Sequence, residues 1–212
     1  MKREVCIISY KEAVDFLLPK HYSGRTPSIS YAFGWKIENK LVAVCTFGKP
    51  ASNSLCEGVC GKEYSSNVYE LNRLCRVDKL TEPLSQFVSA CLRELRKHNL
   101  IIVSYSDTSM NHNGYIYQAC NFLYTGQTKK RTDKYTEGNK HSRHYSNENQ
   151  GKFRKVRSAK NRYIFFASSS KVNRKKHLKA LKYKQEPYPK EINKNYKLGE
   201  YQKVVLVESQ CA

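Results

Sequence analysis

The sequence predicts an α/β fold, a mixed β-sheet flanked by helices and followed by a basic C-terminal extension. Three observations carry this reading. Runs rich in β-branched and aromatic residues alternate with segments whose apolar residues recur every three or four positions, the order expected of a sheet with helices packed on it. One run, residues 100–103 extending through Tyr105, is apolar without alternation, as in a strand buried on both faces and parallel to a neighbour. The charge is uneven as well: residues 126–212 hold 23 Lys and Arg against 7 Asp and Glu, whereas residues 1–125 hold 15 against 11. Residues 1–126 are therefore expected to form the folded core, and residues 127–212 a basic extension that completes the fold.

The elements follow in order. A strand at residues 5–9 precedes a helix in which Ala13, Val14, Leu17 and Leu18 share a face and Pro19 ends the run. Residues 29–37 and 41–48 read as a β-hairpin turning at Glu38-Asn39-Lys40. Residues 49–66, with Pro50, Gly58 and Gly61, read as a loop, and residues 68–77 as a strand. Leu84, Phe87, Val88, Cys91, Leu92 and Leu95 define an amphipathic helix ending near His98-Asn99. After the buried strand come a short helix at 113–120 and a strand at 122–125. Residues 126–160 are polar, basic and aperiodic, and read as loop. A strand at 162–167 and a helix at 171–181 close the pattern, the helix having only Val172, Leu178 and Leu181 against a wide basic face.

Composition bounds the function. The chain has 212 residues, 40% of them hydrophobic, enough for one sizeable core. No run approaches the ~20 apolar residues of a membrane span, and Glu4, Lys11, Glu12 and Asp15 interrupt the N-terminal stretch, so a cytoplasmic location is expected. Cys6, Cys45, Cys75 and Cys91 lie within apolar runs as core thiols. Cys56 and Cys60 form a C-x3-C pair without a second pair at zinc spacing, and read as two loop thiols rather than half a metal site. Thirteen of residues 152–184 are Lys or Arg, with Phe153, Tyr163 and Tyr183 among them. Cations displace counterions from a phosphate backbone and rings stack on bases, so Lys152, Arg154, Lys155, Arg157, Arg174, Lys175 and Lys176 are expected to face nucleic acid.

Four segments place reactive groups at strand ends and in loops, where an α/β sheet opens its crevice. His21-Tyr22-Ser23 offers a base, a phenol and a hydroxyl at a helix exit. Glu70, Asn72 and Arg73 interrupt an apolar strand; strict alternation turns Glu70 and Asn72 one way and Arg73 the other. Asp107 ends the buried strand as a catalytic carboxylate or a helix cap. In residues 111–117, Tyr117 stands one turn after Gly114, able to reach toward the same crevice. P-loop, G-x-G-x-x-G, G-x-S-x-G and H-E-x-x-H patterns are absent, which excludes several common enzyme classes.

Together with FGKPAS at 47–52, YELNRLC at 69–75, LSQFVSACL at 84–92, SYSDTSMNHNGYIYQACNF at 104–122, YTG at 124–126, KYTEGNKHSRHY at 134–145 and QEPYPK at 185–190, these segments resemble the Mom family of bacteriophage DNA-modification proteins. The resemblance implies a GNAT-like acyltransferase fold and conversion of adenine in DNA to a carbamoylmethylated base at its exocyclic amine, protecting phage DNA from restriction. By the same resemblance His21, Tyr22, Arg73, Asp107 and Tyr117 are the catalytic candidates, with Asp107 or His21 as base, Tyr22 or Tyr117 as proton donor, and Arg73 holding an anionic donor or developing charge. Double-stranded DNA and an activated small-molecule or carrier-bound donor are the implied partners, and His141, Arg143 and His144 belong to the DNA surface or to the pocket rim. Ser85 marks the donor side of its helix.

One departure concerns the donor. Enzymes of this fold hold the coenzyme A pyrophosphate in a glycine-containing loop before that helix. Residues 78–86 contain no glycine here, leaving Arg76, Lys79, Ser85 and Gln86 and the helix N-terminus to hold an anion. Acetyl-CoA is the donor the fold suggests, yet a carbamoylmethyl group is not the product of simple acetyl transfer, and the sequence leaves the metal requirement open. Two other readings compete: an N-acyltransferase acting on a protein or small-molecule amine, and a basic nucleic-acid-binding protein without catalysis.

Overall fold

The computed structural model describes residues 2–21, 23–135, 153–190 and 205–208. The main sheet has seven strands in the order β1-β2-β3-β4-β5-β9-β6: β1 (Arg3–Ile7), β2 (Tyr31–Ile37), β3 (Lys40–Gly48), β4 (Val68–Arg76), β5 (Leu100–Asp107), β6 (Leu123–Gln127) and β9 (Lys160–Ala167). β4 and β5 are parallel, and every other neighbouring pair is antiparallel. Because β9 lies between β5 and β6, part of the basic C-terminal region is built into the central sheet. A second sheet, β10-β8-β7, joins Leu206–Glu208, Phe153–Arg157 and Arg131–Lys134.

Helices cover both faces. α3 (Leu84–Leu95) and α4 (Tyr115–Ala119) pack on one face, where Trp35 stacks on Phe87 at 5.6 Å in a core that also holds Phe47, Leu92, Phe122 and Tyr163. On the other face α1 (Tyr10–Leu17) covers Val44 and Cys75, while α2 (Asn53–Cys60) and α5 (Lys171–Ala180) flank Ile101, Val103 and Ile164. Each large apolar side chain removed from water contributes about 1.5–3 kcal/mol. A Ser9/Glu12 capping box starts α1. Asn99, in the left-handed region at φ 54°, turns the chain into β5. Glu38 and Asn39, both at positive φ, form the tight turn of the β2/β3 hairpin. The 185–190 stretch runs along the free edge of β6: the Glu186 N–H donates to the Tyr124 carbonyl at 2.9 Å and the Tyr188 hydroxyl to that of Phe122 at 2.7 Å, covering a row of otherwise open backbone groups.

Two expectations are corrected. Residues 49–66 contain α2 and a 3-10 turn rather than loop alone: the Ser52 side chain accepts from the Leu55 N–H and starts a helix that Gly58 does not break. Cys56 and Cys60 are thus not loop thiols. They stand one turn apart, buried in the core, and the Cys60 thiol donates to the His177 carbonyl, its pKa pushed up to about 11 by burial. Residues 126–160 are not loop throughout either, since β7 and β8 pair across them with Thr132 opposite Val156. Tyr22, Lys152, His141, Arg143 and His144 lie outside the described residues. Among the described residues, no helix is long and apolar enough to cross a membrane.

Candidate active site in the parting of two parallel strands

β4 and β5 pair only from Val68 opposite Ile101 to Leu71 opposite Ser104. Beyond that, β4 stays with β3 as far as Arg76 while β5 stays with β9 as far as Asp107, so the neighbours part at their C-terminal ends. The cause is a β-bulge. Thr46 faces Arg73 and Phe47 faces Leu71, leaving Asn72 as an extra residue that bends β4. Its amide is locked in place, the oxygen accepting from Thr46 Oγ1 and the nitrogen donating to the Ser28 carbonyl, both at 2.7 Å. Gly48 permits this: a Cβ there would meet the Ser28 carbonyl oxygen at 1.9 Å.

The bulge also corrects the expected side-chain alternation. Leu71 and Leu74, three apart, both face the α3 side. Arg73 therefore shares the opposite face with Glu70 rather than opposing it. On that face converge His21 from the turn after α1, Glu70 and Arg73 from β4, Asp107 from β5, Lys160 from β9 and His112 from the loop after β5, each near enough to shift another's ionisation.

The groups differ in what they can do. Burial alone raises the pKa of Asp107, but hydrogen bonds from Ser158 and Ser109 and the nearby Lys160 ammonium outweigh it, so the carboxyl is held below its usual range. Asp107 Oδ1 accepts from Ser158 Oγ at 2.6 Å, Ser109 Oγ at 2.7 Å and Ser109 N–H at 3.0 Å, and Oδ2 lies 3.7 Å from Lys160 Nζ. Asp107 is thus also the cap of the 3-10 turn that follows β5. Such a carboxylate is a weak base and a firm anchor. Burial lowers the pKa of His21 to about 3, helped by Arg73, His112 and Lys160, so the ring is neutral near pH 7. Its Nδ1 accepts the Ser23 N–H at 3.1 Å, which puts the ring proton on Nε2 and makes that nitrogen a donor. Burial raises the pKa of Glu70 against the pull of Lys160 and Arg73, the shift that fits a base for proton transfer. Arg73 is aimed by its own strand and the 24–30 segment, donating to the carbonyls of Asn72 at 2.7 Å and Arg25 at 3.3 Å.

Of the expected catalytic residues, His21, Arg73 and Asp107 are brought together. Tyr117 is not: it packs on the α3/α4 face against Phe122 and Tyr163, with ring centroids at 5.4 and 5.3 Å, across the sheet from Asp107. On that same face Ser106 is buried and its hydroxyl has no hydrogen-bond partner among the described residues, marking a polar position at the end of β5. The residues expected to hold a donor do not form a phosphate cradle. Arg76 turns its guanidinium back onto the Leu80 carbonyl, Gln86 and Lys79 are exposed, and Ser85 presents its carbonyl to the Cys120 thiol, while α3, following Pro83, has no side-chain cap on its first N–H groups. These side chains do not offer coenzyme A the cradle that a glycine loop does.

The basic residues divide. Arg154, Lys155 and Arg157 lie on β8, beside the crevice; Arg154 is tied to Thr132, through Oγ1 at 2.7 Å and the carbonyl at 2.9 Å. Arg174, Lys175 and Lys176 lie midway along α5, beyond the far end of β9, which is about 23 Å along the strand from Lys160. Glu70 and His112 stand in segments that the sequence singles out, but Lys160 carries no sequence signal; only the pairing of β9 with β5 reveals it.

Solved structures similar to the chain are acetyltransferases. One from Bacillus subtilis in complex with CoA is 15% identical, with a TM-score of 0.45, over 78% of this chain and 99% of that one. The ribosomal-protein-S18-alanine N-acetyltransferase from Escherichia coli is 9% identical, with a TM-score of 0.48, over 80% and 96%. A GNAT family acetyltransferase from Elizabethkingia anophelis with acetyl-CoA bound is 10% identical, with a TM-score of 0.46, over 77% and 97%. No curated protein matches in sequence. The model of the Mom protein family matches residues 2–190, and the chain belongs to that family.

Proposed function

We propose that this protein is a DNA-modifying transferase that acts on the exocyclic amine of adenine and leaves a carbamoylmethyl group there, shielding the DNA from restriction enzymes in a bacterial cytoplasm. The observation that carries the reading is the family match, which runs through every segment lining the crevice. The chemistry of the cluster supports it. An adenine amine is a poor nucleophile because its lone pair is delocalised into the ring, so it must be oriented and lose a proton as the new bond forms. Glu70, its carboxyl basic through burial, suits proton removal better than Asp107, whose Oδ1 already accepts three hydrogen bonds. Neutral His21 offers an Nε2–H to a ring nitrogen or to a developing anion. Arg73 supplies fixed positive charge toward the group transferred. Asp107 keeps Lys160 and the 108–110 turn in register with the crevice.

A base inside a duplex must be extruded to reach such a crevice, at a cost of a few kcal/mol that contacts to the backbone offset. Double-stranded DNA is the partner this requires, and an activated donor of still open chemistry is the second substrate. The test is nucleoside mass spectrometry of plasmid DNA from bacteria expressing soluble wild type or Asp107→Ala. A new adenine nucleoside of carbamoylmethyl mass is expected with wild type alone. Unmodified adenine beside acylated protein or small-molecule amines would move the assignment to another acceptor.

A further inference from the structure

Basic residues are plentiful around the crevice, and the register of the small sheet sorts them. Directly opposed residues of an antiparallel pair share a face. Arg131 opposite Arg157 and Asp133 opposite Lys155 therefore lie on one face, and Lys134 opposite Arg154 on the other. On the first face Arg157 Nη1 is 3.4 Å and Arg131 Nε 3.8 Å from the same carboxylate, Asp133. Lys155 stands beside Arg157 and also beside Arg25, whose carbonyl holds the active-site Arg73. Among the described residues four cations thus gather near one carboxylate, and Glu208, a second acid on this face, is at the far end opposite Phe153. Like charges brought this close repel unless an anion lies between them.

The same segment leads directly into the crevice. Ser158 Oγ donates to Asp107 at 2.6 Å, the Ala159 carbonyl accepts from Thr108 Oγ1 at 2.7 Å, and Lys160 pairs with Asp107. Three residue steps of extended chain, at most about 10 Å, separate Arg157 from Lys160 of the reacting cluster. The cation face lies on the Asp107 side of the main sheet, beside Lys160. A row of cations along a strand matches the repeating charge of a nucleic-acid backbone, which favours the backbone as the source of the anion.

We propose that Arg25, Lys155 and Arg157 form a phosphate-binding rim for duplex DNA that grips the backbone next to the nucleotide whose base enters the crevice. The inference rests on the DNA-modifying reading and assigns its contact surface. The rim is separate from Arg154, which is tied to Thr132, and from the basic residues of α5.

The test is the affinity of the full chain for a 20-base-pair adenine-containing duplex, about twenty pairs being enough to span the rim, measured by fluorescence anisotropy across a salt series. Lys155→Met/Arg157→Met should weaken binding on the order of tenfold near physiological salt and flatten the slope of log affinity against log salt by about 1.8, which is two phosphate contacts. Arg157→Lys, which keeps the charge, should retain the slope, and Lys175→Met/Lys176→Met should leave it unchanged. Circular dichroism checks that each variant is folded, and Arg25→Met gives a second, exposed probe of the rim. Wild-type affinity and slope in the double variant, with wild type still modifying adenine, would overturn the rim and leave the DNA-modifying reading intact. Retained duplex binding with lost binding of coenzyme A would also overturn it, by assigning the anion to the donor. A wild type that neither binds duplex DNA nor modifies adenine would remove the reading on which the rim rests.

Discussion

The two ends of the β5/β9 pair carry positive charge in different ways. Where Asp107 faces Lys160, cations are half-buried and face specific partners: Lys160 has Asp107, Arg157 has Asp133, and Arg73 has two backbone carbonyls. Where Leu100 faces Ala167, Arg174 of α5 folds back on the Ser168 and Ser169 carbonyls, while Lys175 and Lys176 stand in solvent. Density of Lys and Arg along the chain is similar at both, and only convergence separates them. A buried cation costs desolvation energy and must be held by a partner or by a ligand, whereas a solvated lysine requires neither.

The sharpest way to break this comparison is Arg73→Met, which removes the fixed charge of the crevice. Adenine modification should fall by about 100-fold or more, read by nucleoside mass spectrometry, with expression and fold retained. Next in size is Gly114→Ala at the turn into α4. Gly114 has φ +78°, and a Cβ there would lie 2.4 Å from the Tyr163 ring, whose hydroxyl donates to the Asn113 carbonyl. A loss of roughly 2–4 kcal/mol in urea unfolding is expected. A change below 0.5 kcal/mol would mean that this contact relaxes freely.

Acid should act on both ends. Burial lowers the pKa of His21 to about 3, and lowers those of His112 and His177 as well. Below the unfolded value of about 6.5 the unfolded chain binds more protons than the folded one. Their contribution is thus complete above that pH and is lost as pH falls from about 6.5 toward 3. Melting temperature against pH should decline over this window. His177→Gln should shallow the decline without touching the crevice, because His177 sits on α5 between Tyr64 and Phe166. The smallest effect belongs to Lys175→Met/Lys176→Met, with stability within about 0.5 kcal/mol of wild type and adenine modification unchanged.

The sheet and its main helices were legible because their signals are local. The period of α3, the apolar face of α1 ended by Pro19 and the apolar run of β5 each follow from a few adjacent residues. α2 was hidden because Pro50, Gly58 and Gly61 read as loop punctuation, while the Ser52 cap and the core contacts of Cys56 and Val59 decide otherwise. β7 and β8 were hidden because strands at the rim of a fold bury little and so carry charge instead of alternation. In the site, His21, Arg73 and Asp107 were readable as polar groups placed at element ends. The bulge at Asn72, which turns Arg73 toward Glu70, has no signature within its own strand, since it is a mismatch of two strands. Lys160 is one lysine among many until β9 pairs with β5. Tyr117 fits the helical spacing expected of it, yet the sheet stands between its ring and Asp107.

The most direct test of the central claim compares adenine nucleosides in plasmid DNA from bacteria expressing wild type, Arg73→Met and Lys175→Met/Lys176→Met at matched soluble levels. A carbamoylmethylated adenine present with wild type and with the α5 variant but missing with Arg73→Met is the predicted result. Equal modification by wild type and Arg73→Met, or loss of modification in the α5 variant alone, would contradict the placement of the reaction at the parting of β4 and β5.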